Sequence, residues 1–192
     1  MKRISITSLK PGGIMLKSLT VLICTVLMSC ATAGDQGPAT VEFVDVQRYM
    51  GQWYEIAKYE TSFQKKCLAT RANYSFKKGK VKVLNECVNK KTGKVDLAKG
   101  TALIKDKKTN AKLKVSFVPF VQNFGWFAGD YWIIALGADY EYAVIGHPTR
   151  EYLWFLSRTP TMKPELFEEL KGLARDQGYD LDKIKITPTW QK

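Results

Sequence analysis

The chain has 192 residues, with 30 Lys+Arg against 18 Asp+Glu and a formal net charge of +12. Hydrophobic residues make up 45% and aromatics 12%, enough for one domain with a real core and too much for a collagen-like, low-complexity or wholly disordered chain. Only one stretch is uniformly apolar, so the composition does not describe a polytopic membrane protein.

That stretch, LTVLICTVLMS at residues 19–29, is shorter than the roughly 20 residues a membrane-spanning helix needs. It fits the apolar region of a secretory signal, with Lys17 just before it and Lys2, Arg3 and Lys10 upstream. Met15 offers an alternative start. Ser29 supplies the small residue needed before a cleavage point, and Cys30 follows it. This arrangement resembles the lipobox of bacterial lipoproteins, in which the Cys is acylated and becomes the new N-terminus. The expected organisation is a signal peptide over 1–29, a lipidated tether over 30–40 anchored by Cys30, and a domain over 41–192. An ordinary cleaved signal with an incidental Cys is the alternative. In the lipoprotein pattern, Ala31 after the Cys favours the outer membrane. The small polar residues ATAGDQGPAT, 31–40, read as a flexible tether.

Export leaves Cys67 and Cys87 as an even pair in an oxidising compartment. They flank a hairpin turn at Lys77-Lys78-Gly79-Lys80 and are symmetric about position 77, which predicts a disulfide between two antiparallel strands. Two buried thiols or a reactive Cys are the alternatives.

From Trp53 onward, eight runs rich in Val, Ile, Tyr, Phe and Thr recur at hairpin spacing, about 52–60, 67–76, 80–88, 96–105, 111–118, 130–137, 141–147 and 151–158. Short turn signals separate most of them, so neighbours in sequence are expected to pair antiparallel. A longer aromatic segment, PFVQNFGWFAG at 119–129, breaks the rhythm. Its Phe120, Phe124, Trp126 and Phe127 are expected near a rim, as a gate, a membrane contact or loop core. A helix follows from Pro164, with Leu166, Leu170, Leu173, Ala174 and Gln177 on one stripe and Gly178 beyond its end. A short final strand over 183–187 is expected at a sheet edge. The fold class is therefore all-β, an eight-stranded antiparallel up-and-down barrel that removes free edges, with a C-terminal helix packed outside. A β-sandwich fits the same strand count.

Gly51-Gln52-Trp53 opens the first run after a short helical entry, Asp139-Tyr140 lies between the sixth and seventh, and Arg158 ends the eighth. These three motifs, in this order, resemble the signature of the lipocalins over about residues 40–190. The stretch RANYSFKKGKVKVLNECV, 71–88, is particularly similar to bacterial outer-membrane lipocalins and to apolipoprotein D. The resemblance implies a calyx whose closed floor carries Gly51, Trp53, Asp139, Tyr140 and Arg158 as structural residues. Arg158 would stack on Trp53 there.

Strand alternation places Tyr152, Trp154, Leu156 and Arg158 on one face. With Arg158 at the floor, Trp154 is expected in the ligand pocket above it, with Tyr152 and Leu156. Phe117, Tyr131 and Tyr142 are further pocket candidates. His147 is the single histidine and precedes Pro148 in a turn, so it reads as a solvated turn residue. No Zn-type spacing, nucleophile-elbow, Walker or dinucleotide fingerprint occurs, so neither metal nor cofactor is expected. Export argues against a nucleic-acid role for the basic charge. The expected function is a non-enzymatic outer-membrane carrier of a small hydrophobic ligand, a fatty acid or lysophospholipid. It serves lipid transport, storage or membrane maintenance as a monomer or homodimer. A pocket-Cys enzyme and an envelope interaction protein with a solid barrel are the alternatives.

Overall fold

The computed structural model describes residues 37–118 and 128–191. The expected signal peptide, Cys30, most of the tether, and Phe120, Phe124, Trp126 and Phe127 of the aromatic segment lie outside the described residues.

The domain opens with α1 (Val46–Tyr49), one turn capped by the Asp45 carboxylate, which accepts from the N–H groups of Gln47 (2.8 Å) and Arg48 (3.2 Å). Eight strands follow: β1 (Gly51–Tyr59), β2 (Cys67–Lys77), β3 (Lys80–Asn89), β4 (Val95–Ile104), β5 (Lys112–Ser116), β6 (Gly129–Leu136), β7 (Tyr142–Gly146) and β8 (Leu153–Ser157). Each pairs antiparallel with the next, and β8 returns to pair with β1, so the sheet closes into a barrel. The Lys78-Gly79 turn joins β2 to β3 with both residues at positive φ (50° and 73°), the twist that a two-residue hairpin requires. Then α2 (Pro164–Asp176) packs outside, and β9 (Ile184–Ile186) pairs with the far end of β1.

The side-chain pattern divides the apolar residues into two cores. One fills the closed end of the barrel and includes Tyr49, Trp53, Tyr74, Val81, Leu113, Ile133 and Ile145. The other lies between the barrel wall and α2, where Leu153 and Phe155 meet Leu170, Ala174 and Tyr179. On β8 the alternation is uninterrupted. Trp154 pairs with Ile145 and Leu156 with Ala143, all inward, while Leu153, Phe155 and Ser157 face the helix side.

On β1 the register shifts between Glu55 and Ala57. Because of that bulge, Trp53, Glu55 and Lys58 share the inner side while Ala57 and Tyr59 join the helix-side core. A second irregularity, between Cys67 and Ala69 on β2, lets the strand curl at its start. There Cys67 and Cys87 form a disulfide, with Cα atoms 5.3 Å apart.

Two expectations about side chains are corrected here. Tyr142 pairs with Ser157 and packs into the helix-side core, where burial, helped by Glu141 and Glu169, pushes its phenol up; it does not face the barrel interior. His147 is not a solvated turn residue: its side chain is only 16% exposed, its Nδ1 meets Thr149 Oγ1 at 2.8 Å, and its ring packs edge-on against Tyr152.

Candidate functional site

The closed end is built around Arg158. Its guanidinium donates to three backbone carbonyls: Nε to Tyr140 (3.1 Å), Nη1 to Gln52 (2.9 Å) and Nη2 to Arg48 (2.8 Å). Its planar face covers the fully buried Trp53 ring at 3.9 Å, and the Trp53 indole donates to the Tyr49 carbonyl at 2.9 Å. Burial pulls the Arg158 guanidinium below its ordinary value, although an arginine remains charged throughout. Gly51 has φ 93°, and a Cβ there would lie 3.3 Å from Arg158 Nη1, so glycine serves both the turn and the close approach. Tyr140 also adopts a positive φ (61°); its hydroxyl accepts from the Asp45 N–H at 2.7 Å, and Arg48 lies over its ring at 4.2 Å. Asp139 is nearly fully exposed, 3.9 Å from Arg48. One cation thus ties α1, β1, β8 and the loop before β7 into a floor.

Above the floor lies a cavity of about 530 Å³, within the range of about 300–1,000 Å³ typical of small-molecule sites. Its apolar wall includes Trp53, Ala72, Val83, Val115, Ile145, Trp154 and Leu156. Phe117 and Tyr131 line it as well. Tyr152 does not. It precedes β8, stacks on the far side of Trp154 (centroids 5.7 Å apart) and touches His147 and Phe63. The open end carries exposed Phe63, Leu97, Phe117 and Val118 beside the Cys67–Cys87 bridge. Gly100 lets the Phe117 ring cross the wall, since a Cβ there would come within 2.8 Å of that ring.

Two polar groups inside the barrel carry no sequence signal of their own. The first is a set of three tyrosines. The hydroxyls of Tyr49 and Tyr131 are 2.7 Å apart, and those of Tyr74 and Tyr131 3.3 Å. Burial raises all three phenols: Tyr74 is pushed up to about 12, and Tyr49 and Tyr131 also lie well above the usual phenol range. They separate the main cavity from a void of about 20 Å³ near α1, room for little more than one water.

The second group centres on Glu55. Its carboxylate accepts from Lys58 Nζ (2.7 Å), Thr187 Oγ1 (2.7 Å) and Gln64 Nε2 (2.8 Å), while Gln64 Oε1 accepts from the Trp154 indole at 3.1 Å. Gln64 sits on a 3-10 turn at Ser62–Gln64, so the segment after β1 is fastened across the wall to β8. The network draws on four separate segments: β1, the Ser62–Gln64 turn, β8 and the chain after β9.

Both described cysteines are in the disulfide, so no free thiol faces the cavity among the described residues. The interior arrangement is that of a container: an apolar chamber, a sealed floor, an open rim and charged groups paired with one another.

Comparison with known proteins agrees with this geometry. Temperature-induced lipocalin-1 of Arabidopsis thaliana is 42% identical over 153 residues, covering 77% of this chain and 81% of that protein. The outer membrane lipoprotein Blc of Escherichia coli K12 is 38% identical over 150 residues, 78% of this chain and 81% of that protein. Mouse apolipoprotein D is 34% identical over 160 residues, 78% and 79% respectively. Among solved structures, insecticyanin from the tobacco hornworm Manduca sexta shares the fold with a TM-score of 0.63 at 18% identity, covering 80% of this chain and 85% of that one. Residues 44–189 match the lipocalin-like domain family, and the chain belongs to the lipocalins, a family of ligand-binding carriers.

Proposed function

We propose that this protein is a lipid-anchored carrier that holds one acyl-chain lipid in its barrel at the outer membrane. The observation that carries the reading is the cavity of about 530 Å³, open at one end and walled mainly by apolar side chains. Binding would bury the tail against Val83, Val115, Ile145, Trp154 and Leu156, while the exposed Phe63, Leu97 and Phe117 give a chain an apolar path over the rim. Each buried methylene adds about 0.8 kcal/mol, or roughly a fourfold gain in affinity.

The anchor rests on Cys30 and on the likeness to proteins named outer membrane lipoprotein. The disulfide suits an oxidising compartment. A titration with saturated acyl chains of increasing length, followed by tryptophan fluorescence, tests the carrier reading. Affinity rising with length to a plateau supports it, and a response independent of length overturns it. Labelled palmitate tests the anchor: incorporation into the wild-type protein and none into Cys30→Ser supports acylation at that residue, and equal labelling of both contradicts it.

A further inference from the structure

The two ends of the barrel differ in what they expose. Nine large apolar side chains are exposed among the described residues. Six of them, Phe63, Leu68, Val95, Leu97, Phe117 and Val118, stand at the open end, where β1 hands over to β2, β3 to β4 and β5 to β6. The closed end exposes Phe43, beside the β4–β5 turn, and Phe76, beside the β2–β3 turn. Basic charge alone does not separate the ends, since Lys77, Lys78, Lys105, Lys107 and Lys108 surround the closed one. At the open end it is concentrated on one side. Residues 61–70 and 88–99, which carry the start of β2 and the β3–β4 turn, hold six lysines and a single acid, Asp96, which Lys66 engages at 3.0 Å. Glu60, Glu151 and Asp182, exposed acids of the same end, lie toward β1 and β8 instead.

The chain also enters the domain at this end. Gly37 packs against Trp132 and the turn after β7, where a Cβ would meet the Pro148 carbonyl at 2.8 Å. Seven Cα steps separate Cys30 from Gly37, a reach of at most about 25 Å when fully extended. An acyl group on Cys30 therefore holds a membrane within that distance of the mouth. Apolar side chains beside a cluster of lysines are the composition of an interfacial membrane contact: the apolar groups enter the head-group boundary, and the cations meet anionic lipid phosphates. A purely apolar patch would fit a second protein equally well; the excess of lysines selects an anionic surface.

We propose that the β2–β4 side of the open mouth is a docking surface for a bilayer that contains anionic phospholipid. Phe63, Leu68, Val95 and Leu97 enter the head-group region, and Lys65, Lys66, Lys90, Lys91 and Lys94 meet lipid phosphates. The mouth then opens onto the bilayer itself, so that an acyl chain passes between membrane and chamber over an apolar rim and without crossing water. The inference rests on the reading of an anchored carrier and adds to it the orientation of the barrel and the charge of the lipid it meets.

The test uses the full chain, extracted in mild detergent from its own membrane and reconstituted into vesicles of phosphatidylethanolamine with phosphatidylglycerol. A photoreactive benzophenone side chain replaces, one at a time, Leu68 or Val95 at the mouth and Phe43 or Phe76 at the closed end. All four positions are exposed and none lines the chamber, so the fold tolerates the change. Cross-linking to lipid is expected from Leu68 and Val95 and to be much weaker from Phe43 and Phe76. Combining Lys90→Gln, Lys91→Gln and Lys94→Gln with the probe at Val95 is expected to lower docking at least about tenfold, since each well-placed lysine contributes roughly fivefold. Vesicles of phosphatidylcholine alone are expected to give the same loss. Equal lipid cross-linking from both ends, stronger cross-linking from the closed end, or mouth probes that capture only protein would overturn the docking surface. Palmitate labelling of Cys30 and the acyl-chain titration are read separately, so the anchor and the carrier survive that result. Mouth contact that persists in Cys30→Ser would support docking even where the anchor fails.

Discussion

The guanidinium carbon of Arg158 lies 3.9 Å from the centroid of the Trp53 ring, and the same cation donates to the carbonyls of Arg48, Gln52 and Tyr140. The two residues are 105 positions apart in sequence and meet across the β1–β8 seam, each next to the Tyr54–Ser157 pair at its end. Stacking accounts for the pair only in part. One side chain covers the face of a buried indole and donates to three backbone carbonyls, which is why a lysine, with a point charge and no planar face, is a poor substitute.

Trp53→Ala should therefore destabilise the protein by about 3–5 kcal/mol, from the cavity left in a fully buried site. Arg158→Lys should cost about 2 kcal/mol through lost carbonyl hydrogen bonds and stacking. Urea unfolding measures both. In Arg158→Lys, ligand preference should change less than stability, because Arg158 is not among the residues that line the chamber. Wild-type unfolding midpoints in both variants would contradict the role of the pair in sealing the floor.

Glu55 and Lys58 supply a second test. Their side chains are only 4% and 12% exposed, and the carboxylate also receives Thr187 and Gln64. Lys58→Met leaves that carboxylate buried without its counter-ion and should cost about 3 kcal/mol. Adding Glu55→Met should recover part of the loss, so that the double variant is more stable than Lys58→Met alone. A double variant less stable than either single one would show that the network stabilises by more than pairing its charges.

The buried phenols make stability depend on alkaline pH. Tyr74 and Tyr179 are pushed up to about 12, chiefly by burial; burial also raises Tyr49 and Tyr131 well above the ordinary phenol value, with Tyr74 adding to Tyr49, and Tyr49 and Tyr74 adding to Tyr131. An unfolded chain releases phenol protons near pH 10. Between about 10 and 12 the folded protein thus holds more protons than the unfolded chain. Its stability should fall as pH rises through that window and be insensitive to these groups below about 10. Phenolate absorbance followed together with circular dichroism checks this. The late-titrating tyrosines should ionise only as the fold is lost; their ionisation near pH 10 in an intact barrel would contradict their burial.

The sequence made the barrel legible because its strands are short, turn-bounded and sequential, and because β8 has no bulge. Counting back in twos from Arg158 therefore places Trp154 and Leu156 inward correctly. The same counting says nothing about Tyr142. Strand β7 is apolar on both faces, one toward the barrel and one toward α2, so no polar side fixes its register. Tyr152 fails for a different reason: it shares the inward parity but lies before the strand begins, where stacking on Trp154 takes its ring. The tyrosine trio and the Glu55 network were hidden because each unites segments far apart in sequence, and in β1 because the bulge after Glu55 turns Lys58 to the side that strict alternation denies it.

The central claim is that the chamber holds a lipid. Native and denaturing mass spectrometry of the protein purified gently from its own membrane tests it most directly. The account predicts an added mass in the native state that is released on unfolding and extracts as an acyl-chain lipid. A native mass equal to the denatured one, together with no binding of added acyl lipids at any chain length, would contradict it.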